Sequence, residues 1–279
     1  MAGLGLTAAP TAGLGSMLHN LVRLTRYRGL IQSLVARELK ARYRGSVLGF
    51  FWSFINPLAL LLIYSFVFKY FLPRGGEDLP HYEVFMFCGI LPWTWFSSSL
   101  LESSGVLISG GNLIKKVLFP AEVLPIVTVL ANMVHFFLGL PILGAFILYY
   151  GIPLHLGELA WFPLVVLVQL VLTLGCALLL SALTVHFRDL RDILSNLMTF
   201  WFFATPIIYP YTMMEPPVMR FLNLNPFTHL AITYQEILYF PGPVGHAGWL
   251  LVLGAISIAF FFFGYFVFDR LRDTFAEEV

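Results

Sequence analysis

Long apolar runs alternate with short segments that collect the charges, and this alternation dominates the sequence. A helix needs roughly 20 mostly apolar residues to cross the hydrocarbon layer of a membrane. Six runs are candidates: Val47 to Phe71, Val84 to Ile108, Leu124 to Tyr150, Trp161 to His186, Ile193 to Tyr209 and Gly248 to Phe268. The fifth is the shortest and ends in Thr-Pro-Ile-Ile-Tyr-Pro, which predicts a tilted or broken helix. None of the runs alternates apolar and polar residues as barrel strands do. Backbone groups in lipid must pair within their own segment, so helices are expected. The predicted fold class is an all-α polytopic membrane protein with six transmembrane helices. Pro57 predicts a kink in the first.

The segments between the runs have their own patterns. Residues 1–18 are rich in Gly and Ala and read as a flexible tail without the layout of a cleavable signal. Residues 19–45 are basic and amphipathic, which predicts an N-terminal interfacial helix on the membrane surface. Residues 46–279 form the six-span domain. Within it, residues 211–246 are too broken to cross twice, and Asn225-Pro226 is a signal for a helix stop and restart. A pair of short external re-entrant helices between spans five and six is expected there.

Charge sets the orientation. Thirteen Lys and Arg lie before span one, in the second and fourth loops and in the tail, against Lys69, Arg74 and Arg220 on the other side. The positive-inside rule then places both termini in the cytoplasm. An even number of spans agrees.

Composition narrows the class further. Of 279 residues, 59% are hydrophobic and 11% charged, and the mean hydropathy is +0.84. Soluble domains carry roughly 25% charged residues, so a water-soluble enzyme is excluded. Cys88 and Cys176 sit inside apolar runs and read as small hydrophobes. No metal-ligand spacing is visible, nor, apart from the charged turn at His186, a compact catalytic constellation, and no Lys is followed by Ser or Thr, so a phosphate-binding G-x-x-x-x-G-K-[ST] loop is missing. The chain is therefore read as no enzyme, with no metal, catalytic residue or cofactor of its own.

Five stretches in order carry a family resemblance: Arg37 to Leu58, Gly110 to Ile126, His186 to Leu194, Thr205 to Pro210 and Leu224 to Leu238. The chain resembles the membrane permeases of type-2 ATP-binding-cassette exporters of O-antigen, teichoic acid or capsular polysaccharide. The resemblance implies a multi-pass permease of the bacterial inner membrane. It implies a homodimer beside two copies of an ATP-binding subunit that holds ATP and Mg. A lipid-linked glycan, most simply O-antigen, and membrane lipids are the implied partners, with no nucleic acid. It further implies that residues 110–126 are a coupling segment, with Asn112, Leu113, Lys115, Lys116, Phe119, Pro120 and Glu122 towards the ATPase.

Each candidate site has a plainer competing reading. Arg188, Asp189, Arg191 and Asp192 form a second cytoplasmic contact or a solvated helix end, with Arg188 and Asp192 spaced to pair along a helix. Arg37, Lys40, Arg42 and Arg44 suit the pyrophosphate of a lipid carrier, or lipid headgroups alone. Trp52, Tyr64, Trp201 and Phe202 are candidates to line a channel, because flat rings stack on sugars; lipid and interhelix packing compete. Trp93, Trp95 and Trp161 fit an interfacial belt. Glu102, costly at bilayer depth, is expected to face the bundle interior or an aqueous path. Asn225, Pro226, His229 and Tyr234 are the implied external gate. A small-molecule or lipid exporter, a proton-coupled transporter and a membrane transferase remain as alternatives.

Overall fold

A computed structural model describes residues 27–71, 79–111, 115 and 119–278. Among these the regular structure is entirely helical. The principal helices are α1 (Arg28–Arg42), α2 (Trp52–Tyr70), α3 (Tyr82–Ser109), α4 (Val123–Tyr150), α5 (Phe162–His186), α6 (Leu190–Phe203), α7 (Pro216–Leu222), α8 (Pro226–Leu238) and α9 (Ala247–Leu271). Four helical stretches, Tyr82–Ser109, Val123–Tyr150, Leu156–His186 and Ala247–Thr274, are long and apolar enough to cross a membrane. The described apolar part of α2, Trp52–Val67, is shorter, and α6 has 14 residues.

The centre of the bundle is α3. It packs against α2, α4, α5, α6 and α8, and from Val84 to Phe96 only Thr94 is exposed. A helix buried on all sides reads as continuously apolar, as this one does. On the far side α5 and α9 pack closely through glycines. A Cβ placed on Gly264 would stand 2.3 Å from the Gly175 carbonyl oxygen. Small residues such as Gly175 let two helix backbones approach closely.

The predicted boundaries shift at two spans. Span one was expected from Val47, but α2 begins at Trp52, because Gly49 takes a positive φ of 50° and a short 3-10 turn precedes the helix. Span five was expected to reach Tyr209, but α6 ends at Phe203. Pro206 and Pro210 lack the amide hydrogens a helix would use. Residues 204–210 continue as irregular backbone, with Thr205, Pro206, Ile207 and Pro210 buried.

That irregular stretch is held by side chains. Asn225 Nδ2 donates to the Ala204 carbonyl at 3.0 Å, and Gln235 Nε2 donates to the Pro206 carbonyl at 2.9 Å. The Tyr82 hydroxyl donates to the Ile208 carbonyl. Unpaired backbone in an apolar setting costs several kcal/mol, so such partners are what permits the break. Gly89 leaves room for the segment, since a Cβ there would meet Ile207 at 3.1 Å.

The N-terminal helix α1 turns its apolar side towards protein. Leu30, Ile31, Leu34 and Val35 pack with Val123, Val127 and Phe119 at the start of α4. The interfacial helix is thus seated on the bundle. The 1–18 tail, and Arg23, Arg26 and Arg74 used for topology, lie outside the described residues.

Candidate functional site

Three helices meet through charge at the end of α1. Arg42 Nη2 lies 2.7 Å from Glu102 Oε2 on α3, and Nη1 donates to Asn132 Oδ1 on α4 at 3.0 Å. Asn132 Nδ2 donates to the same Glu102 oxygen at 2.8 Å. Charge-assisted bonds of this kind are about twice as strong as neutral ones. Glu102, expected to face the bundle interior or an aqueous path, has a side chain that is 42% exposed and is paired with Arg42. The asparagine was visible in the sequence, but its link to Arg42, 90 residues away, was not.

A second chain of bonds follows. Ser53 Oγ donates to the Tyr43 hydroxyl at 2.7 Å, and that hydroxyl lies 3.3 Å from His135 Nδ1. Trp52 Nε1 donates to Ser46 Oγ at 3.0 Å. These groups border a cavity of ≈ 630 Å³ between α1, α2, α3 and α4. Trp52 and Asn56 come from α2, Thr94 and Ser98 from α3, and Asn132, His135 and Phe136 from α4. Among the entry candidates, Arg42 is committed to Glu102, whereas Arg37, Lys40 and Arg44 are exposed. Tyr64 is half-buried against the core.

The aromatic candidates divide. Trp201 and Phe202 pack within the chain against Trp93, and Trp201 also meets Phe96 edge-on at 5.3 Å. Trp201 Nε1 donates to Asn225 Oδ1 at 2.7 Å. Trp93 and Trp95 are buried, 6% and 2% exposed, so the interfacial-belt reading gives way to core packing. Their helix is enclosed by neighbours, a fact its own composition does not reveal. The opposite side of α6 presents Ile193, Leu197, Phe200 and Phe203 outward.

At the opposite end of the bundle from Arg42, two short helices, α7 and α8, follow the irregular stretch. Asn225 caps α8, accepting from the Phe227 amide at 3.0 Å, and Pro226 takes the first helical position, which its ring suits. His229 stacks on Trp249 at 4.8 Å and approaches the Asn223 carbonyl at 3.1 Å. Burial pushes its imidazole below the ordinary range, helped by nearby His246 and opposed by the Asn223 carbonyl. Glu236 in turn holds His246, Oε1 to Nδ1 at 2.8 Å. Tyr234, named as a gate residue, is fully buried between Phe136 and Phe162 and serves as core.

Within residues 110–126, Lys115 is exposed, Phe119 and Pro120 are half-buried and Glu122 is buried. Asn112, Leu113 and Lys116 lie outside the described residues. Phe119 touches both the α1 stripe and the cluster around Leu107, Tyr265 and Phe275. Among the described residues Glu122 Oε2 has no hydrogen-bond partner. Burial raises its carboxyl above the ordinary range, against the pull of its backbone bond and of Arg272.

At the second contact, Arg188, Asp189, Arg191 and Asp192 are exposed. The expected Arg188–Asp192 pair is not formed among the described residues, because α6 starts at Leu190 and leaves Arg188 off the helix. Asp192 instead lies in the first turn, where the helix dipole favours an acid. Arg191 lies across Gly105 of α3, its guanidinium 3.5 Å from where a Cβ would stand.

Residues 29–239, from α1 through α8, match the family described as ABC-2 type transporter. The chain belongs to the ABC-2 type transporters. In this family the chain is the multi-pass membrane subunit and the ATPase is a separate subunit. This ABC-2 permease is 40% identical over 265 residues to the O-antigen export system permease protein RfbA of Myxococcus xanthus, covering 94% of this chain and all of that one. It is 31% identical to the protein of that name from Klebsiella pneumoniae, over 89% of this chain and 94% of the relative. It is 26% identical to the polysialic acid transport protein KpsM of Escherichia coli, over 84% of this chain and 90% of the relative.

Proposed function

We propose that this permease carries a lipid-linked polysaccharide, O-antigen in the first instance, from the cytoplasmic to the external face of the bacterial inner membrane. The observation that carries this reading is the full-length similarity to O-antigen export permeases, 40% identical over 94% of the chain. ATP and Mg are bound by the partner subunit in this scheme. Two copies of the chain and two of the ATPase form the exporter, with six crossings per chain and both termini cytoplasmic. The long apolar helices and the short α2 and α6 support that count, since a tilted α2 and a broken α6 complete the six.

In this mechanism the ATPase pushes on residues 110–126 and on the turn at Arg188 to Asp192. Phe119 passes the displacement to α1 and to the ends of α5 and α9. Arg37, Lys40 and Arg44 attract the carrier's pyrophosphate as paired donors and positive charge. Outward rings on α2 and α6, including Phe66 and Phe200, are placed to meet a second copy or the sliding glycan. Asn225, Pro226 and His229 brace the external exit.

The test is reconstitution in liposomes with the ATPase subunit and a lipid-linked glycan. Export should require ATP and both chains. Passage of the glycan without the partner, or none with it, overturns the proposal. Capsular polysaccharide is the second reading, favoured by the similarity to KpsM; competition between the two glycolipids in the same liposomes separates them.

A further inference from the structure

The cavity between α1, α2, α3 and α4 holds ≈ 630 Å³, within the range of about 300–1,000 Å³ typical of small-molecule sites. Its walls differ in chemistry. Leu60 and Leu91 belong to an apolar side, whereas Asn56, Thr94, Ser98 and His135 offer hydroxyl, amide and imidazole groups. Thr94 is the exposed residue of an otherwise buried stretch, Val84 to Phe96, so the space reaches well into α3. His135 Nε2 is buried without a hydrogen-bond partner among the described residues. Such a group costs free energy unless something occupies it.

Charge decides what that occupant is. Among the described residues the one cation at the cavity, Arg42, is matched by Glu102 at 2.7 Å. An entering anion would meet a carboxylate already holding the guanidinium. What remains for recognition is neutral: hydroxyls, amides, an imidazole nitrogen and an apolar wall. We propose that this cavity binds the neutral sugar head of an amphiphile, one or two hexose rings on an apolar chain. The inference rests on the polysaccharide-export reading and deepens it. Phosphate is met outside by Arg37, Lys40 and Arg44, and the uncharged sugars are met inside one protomer.

The experiment uses the permease–ATPase complex in nanodiscs, with Cys88→Ala and Cys176→Ser removing the native thiols. Thr94→Cys, and Ser98→Cys as an independent position, report access through their rate of alkylation by a maleimide. The probes are dodecyl maltoside, dodecyl octaethylene glycol ether and dodecyl phosphate, each below the concentration that dissolves the disc. Dodecyl maltoside should slow alkylation about five-fold when present at about four times its Kd, by mass action. The other two should leave the rate unchanged, and Asn56→Leu should abolish the protection. No alkylation at either position, equal protection by all three, or protection by dodecyl phosphate alone overturns the proposal. The same discs, transferred to liposomes, report export separately. Export without protection sinks the cavity alone; protection without export sinks the export reading alone.

Discussion

Single residues here matter through what they leave paired or unpaired. Glu122 is buried with one oxygen unpartnered, and its carboxyl is raised above the ordinary value of 4.5. A raised carboxyl stabilises the fold in full below about that ordinary value, and the contribution is lost as pH rises through the folded value. Glu122→Gln should therefore unfold at a higher temperature than the parent at pH 7.5, and the gap should close towards pH 4.5; thermal melts in detergent measure it. A less stable variant at pH 7.5 would mean that the carboxylate has a partner. Asn225 is the opposite case, with every polar atom engaged by Trp201, Ala204, Thr205 and Phe227. Asn225→Ala should cost about 2 kcal/mol or more, the cap alone being worth about 1. Loss of Trp201 emission change on unfolding at an unaltered midpoint would contradict that. The sequence marked Asn225 as a helix start. It could not show that the same side chain closes the broken end of α6, because the partners lie 20 to 24 residues back on another element.

At the scale of elements, burial followed neighbours more than composition. Apolar runs located α3, α4, α5 and α9 to within a few residues, because a lipid-length helix leaves a long, unambiguous signal. They misjudged Trp93 and Trp95, since a tryptophan reads alike in a belt and in a core. The α5–α9 seam needs Gly175 and Gly264 opposite each other, which no apolar run reveals. Gly264→Ala would drive a Cβ to 2.3 Å from a backbone oxygen, whereas nothing lies within 4 Å of a Cβ on Gly144. The first should destabilise by about 1–3 kcal/mol or more, as overpacking does. The second should be neutral or slightly stabilising, because alanine favours helix over glycine by about 1 kcal/mol. Melting midpoints of the two variants side by side check both.

For the whole molecule, the arrangement of α1 against α4 and the coupling segment ties one end of the bundle together. Lys115 is exposed there, and the charge bias predicts that it faces the cytoplasm. Lys115→Cys in a background without the two native cysteines should resist impermeant maleimide in intact cells and react in inverted vesicles. Labelling from outside would reverse the topology. The sequence by itself determined that the chain is helical and that it lives in lipid, and its charge bias predicts which side faces the cytoplasm. Those properties follow from local sums: apolar length, and the count of Lys and Arg beside each run. Only the tertiary structure decided that Arg42, Glu102 and Asn132 form one cluster beside a cavity, and that Trp201 and Tyr234 face inward. Such contacts join residues tens of positions apart, and nothing in a run of hydrophobic residues says which of its sides another helix will cover.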